Sequence, residues 1–118
     1  MQTFSFKILL PDGKAFEDKI VSLLVRALDG EWGIRAGHAP AAAVLAEAVA
    51  VAEKEDGSKL YFVHGVGTVA VGEGGGTELF TFQLKTVRDE HEAHHLLQEL
   101  IHQNRRCEKG QDVITEKP

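Results

Sequence analysis

Cysteine occurs once, proline three times, and aromatic residues make up only 7% of these 118 residues. The lone Cys107 excludes an intramolecular disulfide framework and a cysteine-built zinc cage, and it points to a reducing compartment. No stretch approaches the roughly 18 uninterrupted apolar residues that a membrane-spanning helix needs. The opening residues, MQTFSFKILLPDG, lack a basic region, a long apolar run and a small-residue cleavage site, so they do not read as a signal peptide. Positive charge is not in excess either. The formal net charge is −5 and the basic residues are scattered, which leaves no footprint for a phosphate backbone and excludes nucleic acid as a partner. The expectation is a soluble cytoplasmic chain, or one that docks on a membrane complex through protein contacts without entering the bilayer.

What is present describes one ordinary domain. With 43% apolar and 26% charged residues, the chain can bury a real core without staples. Twelve glycines against three prolines fit many tight turns between short strands. Phe4, Phe6, Ile8 and Leu10 alternate with Thr3, Ser5 and Lys7, the period of a half-buried strand. Pro11-Asp12-Gly13 then turns the chain. Residues 15–21 and 22–28 read as the next strands, with Val21, Leu23, Val25 and Ala27 on one face. After Asp29-Gly30 the block 31–40 reads as an irregular loop with glycines at 33 and 37. Strand character returns over 47–53, 59–64, 68–71 and 78–86, with Asp56-Gly57 as a hairpin signal and 72–76 as a hairpin tip. The fold class is therefore mainly β with a C-terminal helix: a β-sandwich of about eight to ten short strands over residues 1–86.

At residue 86 the period changes. Thr86-Val87-Arg88-Asp89 resembles a capping box with Asp in the place of Glu. Ala93, Leu96, Leu97, Leu100 and Ile101 recur at helical spacing as one apolar stripe. Arg105, Arg106 and Lys109 suit a helix C-terminus, and Gly110 suits the residue just past it. The pattern predicts a helix over residues 87–108 within a C-terminal segment 87–118.

The block Gly30-Glu31-Trp32-Gly33-Ile34-Arg35-Ala36-Gly37-His38-Ala39-Pro40 resembles the GEFGI–PGHAP signature of the epsilon subunit of F-type ATP synthases. Phe6-Lys7-Ile8-Leu9-Leu10-Pro11-Asp12-Gly13, followed by Phe16, resembles the opening strand, turn and Phe of that family. Asp56-Gly57 matches its central hairpin, and Val63-His64-Gly65 stands where it has a Ser-Gly-Gly run. The likeness covers residues 3–86. It departs at Glu47, where the family has Pro, at Ala48, where it has Gly, and at Gly65-Val66-Gly67, where a Gly-Gly pair is split. The family also commonly carries two C-terminal helices, and the residues after Thr86 leave no room for a second arm of useful length.

The resemblance implies a non-catalytic central-stalk subunit that grips the gamma subunit and rests on the ring of c subunits. It couples ring rotation to gamma and to ATP synthesis or hydrolysis. Contact with the catalytic alpha and beta subunits would be indirect or through the helix, which could modulate hydrolysis. The implied location is peripheral, on the cytoplasmic face of the bacterial inner membrane. The implied partner-facing loop consists of Glu31, Trp32, Gly33, Ile34, Arg35, Gly37, His38, Ala39 and Pro40. The plainer alternative is that Trp32 and Ile34 plug the end of the sandwich core, although interface cores favour Trp and Arg.

No catalytic constellation stands out, and no cofactor is expected. Some family members bind ATP through an Ile/Leu-Asp-x-x-Arg-Ala helix motif; with Asp89 aligned, this chain has Glu92 in place of the Arg, which would repel phosphate. No nucleotide site is expected. His91, His94, His95 and His102 fall opposite the apolar stripe, on a solvated face that rarely supports a functional metal site. Cys107 lacks a partner base, and the glycine run 72–76 lacks the Lys-Ser/Thr and following helix of a P-loop. A reading of a different class remains: a free-standing β-sandwich that binds a small ligand or metal through the 31–40 loop and the histidine-rich helix.

Overall fold

A computed structural model describes the backbone of residues 2–116 and the side chains of residues 2–105. Ten strands precede one helix: β1 Phe4–Leu10, β2 Gly13–Ile20, β3 Ser22–Ala27, β4 Gly30–Arg35, β5 Ala41–Leu45, β6 Ala48–Glu53, β7 Lys59–His64, β8 Gly67–Val71, β9 Thr77–Thr81, β10 Leu84–Val87 and α1 Glu90–Glu116. They form one hydrogen-bonded path, β10-β7-β6-β3-β5-β8-β9-β1-β2, with β4 added to β3. The path folds over at β3. That strand pairs with β6 through Ser22, Leu23 and Leu24, and reaches β5 only through Ala27↔Leu45. One layer is thus β10-β7-β6-β3-β4 and the other β5-β8-β9-β1-β2.

Alternation fills the space between the layers. Phe6, Ile8, Leu23, Val25, Phe62, Val69 and Leu79 point inward and are buried. Phe6 and Phe16 from one layer meet Phe62 from the other, at ring-centroid distances of 5.9 Å and 4.9 Å. Room for these rings comes from β6, whose inward residues are Ala48, Ala50 and Ala52. Small residues opposite large ones keep the core filled without strain. The helix lies outside, across β7, β10 and β6. Ala93 is buried there, while Leu96, Leu97, Leu100 and Ile101 are half-buried.

Three local expectations need correction. Half of the supposed 31–40 loop is strand β4, paired with β3 from Ser22↔Arg35 to Ala27↔Gly30. Its glycines do not prevent pairing, because an edge strand needs only extended backbone. Residues 41–45, which carry no strand signal beyond one Val and one Leu, form β5 because β8 offers them a full antiparallel partner. The helix also shifts at both ends. Thr86 and Val87 belong to β10, and Asp89 is the capping residue: its Oδ2 accepts the Glu92 amide at 3.0 Å. At the far end the helix passes through Gly110 to Glu116. A glycine inside a helix costs only about 1 kcal/mol, too little to force a stop.

Candidate interaction surfaces

The segment from residue 31 to residue 40 is a strand followed by a bend and is not a single irregular loop. Five extended residues of β4 cover about 16 Å and carry the Glu31 backbone away from the His38 bend, while the Trp32 ring reaches back to His38. Along β4 the side chains alternate. Trp32 and Ile34 face the core, Ile34 with 0% exposure and Trp32 half-buried against the core cluster. Glu31, Gly33 and Arg35 are exposed on the other face. Glu31 pairs with Arg26 of β3 at 2.9 Å. Ile34 therefore offers a partner nothing, while Trp32 offers one edge of its ring.

Beyond β4 the chain bends at Gly37, whose φ of 82° is left-handed and suits glycine. The His38 amide donates to the Arg35 carbonyl at 3.1 Å and closes the bend. A neighbour fixes it in place. Gly75, at the 3-10 turn Glu73–Gly75 between β8 and β9, is buried, and a Cβ there would come within 3.0 Å of the Gly37 nitrogen. Arg35, Gly37, Ala39 and Pro40 are exposed at this end, and His38 is partly covered.

A larger surface escaped the sequence reading. On the outer face of the β5-β8-β9-β1 layer, Val44, Thr68, Phe80 and Leu9 form one row, each in register with the next. Val44 is 49% exposed and Phe80 37%. A second row, Ala42, Ala70 and Glu78, lies above it. Above that is a hollow lined by Ser5, Ala70, Gly72 and Gly76. Leu28, Val66 and Phe82 extend the apolar surface around the Gly30 end, and Phe82 packs edge-on against Phe80 at 5.5 Å. No described element covers this face, whereas α1 covers much of the opposite one. Contiguous exposed apolar surface of this kind marks a contact site.

Among the described residues, the helix carries no converging ligands. His91, His94, His95 and His102 are exposed, and two of them lie along the helix from acids: His94 is 3.8 Å from Glu90 and His95 is 3.3 Å from Glu99. Asp89 and Glu92, the pair compared above with a nucleotide motif, form the N-terminal cap. The side chain of Cys107 lies outside the described residues. Sequence reasoning also missed a polar clasp between helix and sandwich. Asn104 Nδ2 donates to the Glu47 carboxylate and to Gln83 Oε1 (3.1 Å), and Gln83 Nε2 donates back to Asn104 Oδ1 (3.2 Å). No described helix is long and apolar enough to cross a membrane.

Comparison with known proteins agrees with the geometry. A family model described as "ATP synthase, Delta/Epsilon chain, beta-sandwich domain" matches residues 3–74. The ATP synthase epsilon chain of Caldicellulosiruptor saccharolyticus is 48% identical over 40 residues, covering 34% of this chain and 29% of that protein. The epsilon chain of Sulfurovum sp. is 32% identical over 73 residues, covering 62% and 57% respectively. The matches thus span 29% to 57% of these curated relatives' length. Among solved structures, a chain of the Euglena gracilis mitochondrial ATP synthase (OSCP/F1/c-ring) superposes with a TM-score of 0.68 at 23% identity, over 76% of this chain and 57% of that one. A chain of the Tetrahymena thermophila mitochondrial ATP synthase central stalk and c-ring gives 0.59 at 15% identity, over 71% and 66%. These two likenesses concern the fold.

Proposed function

Because this chain belongs to the ATP synthase delta/epsilon family through the β-sandwich domain matched at residues 3–74, we propose that it is a central-stalk subunit of an F-type ATP synthase. In this reading it has no catalytic centre of its own. It binds the gamma subunit, rests on the c-ring and transmits rotation between them. It is peripheral, on the cytoplasmic face of a bacterial inner membrane, and needs no cofactor.

The observation that carries the proposal is the uncovered, largely apolar row Val44–Thr68–Phe80–Leu9 on the outer face of a doubly layered domain. A rotor element must bind tightly without moving internally. A sheet face delivers that, since its contact residues are fixed by strand pairing and not by loop conformation. We assign the gamma contact to this face. Glu31, Arg35, His38, Ala39 and Pro40 would then serve the two ends of the sandwich, where ring and stalk meet it. The free-standing ligand module gains no support from the exposed, acid-paired histidines.

Co-expression with gamma tests the assignment. The wild-type chain should co-purify with gamma. The double variant Val44→Asp/Phe80→Asp should not, while keeping its thermal transition, because both side chains already face outward. A double variant that still co-purifies in full yield would overturn the gamma-facing role of this surface.

A further inference from the structure

His64 is the one histidine of the described residues that is fully buried, at 0% exposure. It points into the sandwich from the last position of β7. Its Nδ1 lies 2.8 Å from the Gly65 carbonyl. A carbonyl only accepts, so Nδ1 carries the proton and Nε2 is the bare acceptor. Nε2 has no partner. A second proton placed there would be a buried donor with nothing to receive it.

The two cross-strand partners of His64 are Ala48 on β6 and Leu84 on β10. These residues directly follow Glu47 and Gln83, the two sandwich residues that hold Asn104 of the helix. The link is also made through hydrogen bonds. The Gly65 amide donates to the Gln83 carbonyl at 3.1 Å, and Thr81 Oγ1 lies 3.3 Å from both the Gly65 and Gln83 carbonyls. Gly65 also lies directly against the Gln83 side chain, so that a Cβ there would stand 2.5 Å from Gln83 Oε1 and would push that amide aside. The imidazole, Gly65, Gln83 and Asn104 form one packed polar chain.

We propose that His64 and the Glu47–Asn104–Gln83 clasp form a proton-sensitive catch, so that protonating His64 releases α1 from the sandwich while the β-layers stay folded. An imidazolium needs an acceptor or water at Nε2. In the proposed catch either is supplied by rearranging the turns at Glu47 and Gln83, which lead directly into the two strands paired with His64. On the strands paired to β7, the ionisable neighbours are Glu47, before Ala48, and Lys85, after Leu84. The helix adds Glu99 over the outer face, and the opposing layer contributes the neutral Thr81. None bonds His64. Glu47 is therefore the acid available to an imidazolium, and drawing it inward removes the acceptor that Asn104 uses. Among the described residues, what then holds the helix is the small buried Ala93 and the half-buried Leu96, Leu97, Leu100 and Ile101. Burial also lowers the His64 pKa, against a smaller raising effect of the Gly65 hydrogen bond.

The inference does not rest on the rotor reading and is tested on the full chain alone. Amide hydrogen exchange, corrected for its intrinsic pH dependence, is followed between pH 7.5 and 5 for peptides of α1 and of β1 and β7. The helix opening equilibrium should rise by up to about tenfold per pH unit, the limit for one linked proton, as pH falls from the ordinary histidine value of about 6.5 toward the lower value of the closed state. The strands should keep their protection. His64→Gln should flatten the response. Asn104→Ala should raise helix opening at every pH, and by reciprocity should move the NMR titration of His64 up toward the ordinary histidine range. The last measurement decides the matter should His64→Gln fail to fold. A pH-independent helix, helix and strands opening by the same factor, or an unchanged His64 titration in Asn104→Ala would each overturn the proposal.

Discussion

Trp32 and His38 stack across the bend that ends β4, ring centroids 6.4 Å apart and planes inclined by 21°, while the indole Nε1 donates to Asp29 Oδ1 at 3.1 Å. One side chain thereby ties the turn before β4 to the bend after it and shields the flank of the core. Trp32→Ala should cost about 1–3 kcal/mol of stability, less than the ~3–5 kcal/mol of a fully buried ring. Urea denaturation measures this directly, and an unchanged midpoint would refute the tie.

Ile34 and its neighbours on β4 should separate stability from function. Ile34→Ala leaves a cavity beside its cross-strand partner Leu23 and should cost about 2–5 kcal/mol. Glu31→Ala/Arg35→Ala touches exposed groups and one surface ion pair, so stability should change by about 0.5–1 kcal/mol at most. If the chain is the proposed central-stalk subunit, the double variant in a reconstituted enzyme should leave ATP hydrolysis intact while ion pumping falls. Wild-type pumping with normal assembly would remove these two residues from the coupling surface.

Gly67 tolerates no side chain. A Cβ at this position would lie 2.1 Å from the Phe80 carbonyl oxygen, a backbone atom that β8–β9 pairing holds in place. Gly67→Ala should therefore cost about 1–3 kcal/mol or more through forced backbone displacement. Gly33→Ala, where a Cβ meets nothing within 4 Å, is the control and should cost far less. Thermal melts of the two variants provide the comparison.

Stability should fall on acidification through His64. Burial lowers its pKa in the folded state, so the unfolded chain binds the proton more readily. The contribution of the neutral imidazole is complete above the ordinary histidine value of about 6.5. It is lost as pH drops from there toward the lower folded-state value. His64→Leu should flatten this part of the stability profile measured by denaturant titration at pH 7.5, 6.5 and 5.5.

Much of this fold is legible because the core-facing residues announce themselves by period. Phe4, Phe6 and Ile8 fix β1, and Ala93, Leu96 and Leu100 fix the helix face. β4 was hidden because its glycines carry a turn signal that an edge strand simply tolerates. β5 was hidden because three alanines have no period at all, and only β8 across from them reveals their conformation. The outer face of Val44 and Phe80 was illegible for a different reason. Alternation shows that two faces exist, but strand order decides which residues from distant segments share one. The His64 catch likewise joins residues from β7, the turns at 47 and 83, and the helix, with no spacing to betray it.

The first strand has a consequence for biosynthesis. β1 lies between β2, its hairpin partner, and β9, with which it pairs in parallel from Phe6↔Thr77 to Leu9↔Phe80. A chain emerging from the ribosome can form the β1–β2 hairpin early, yet Phe6 and Ile8 have no finished layer to enter until Phe80 is free of the exit tunnel. Such long-range closure is slow and leaves apolar strands unpartnered meanwhile. Translation past β9, not the appearance of the first hairpin, is the moment at which the nascent domain can become soluble and ready for assembly.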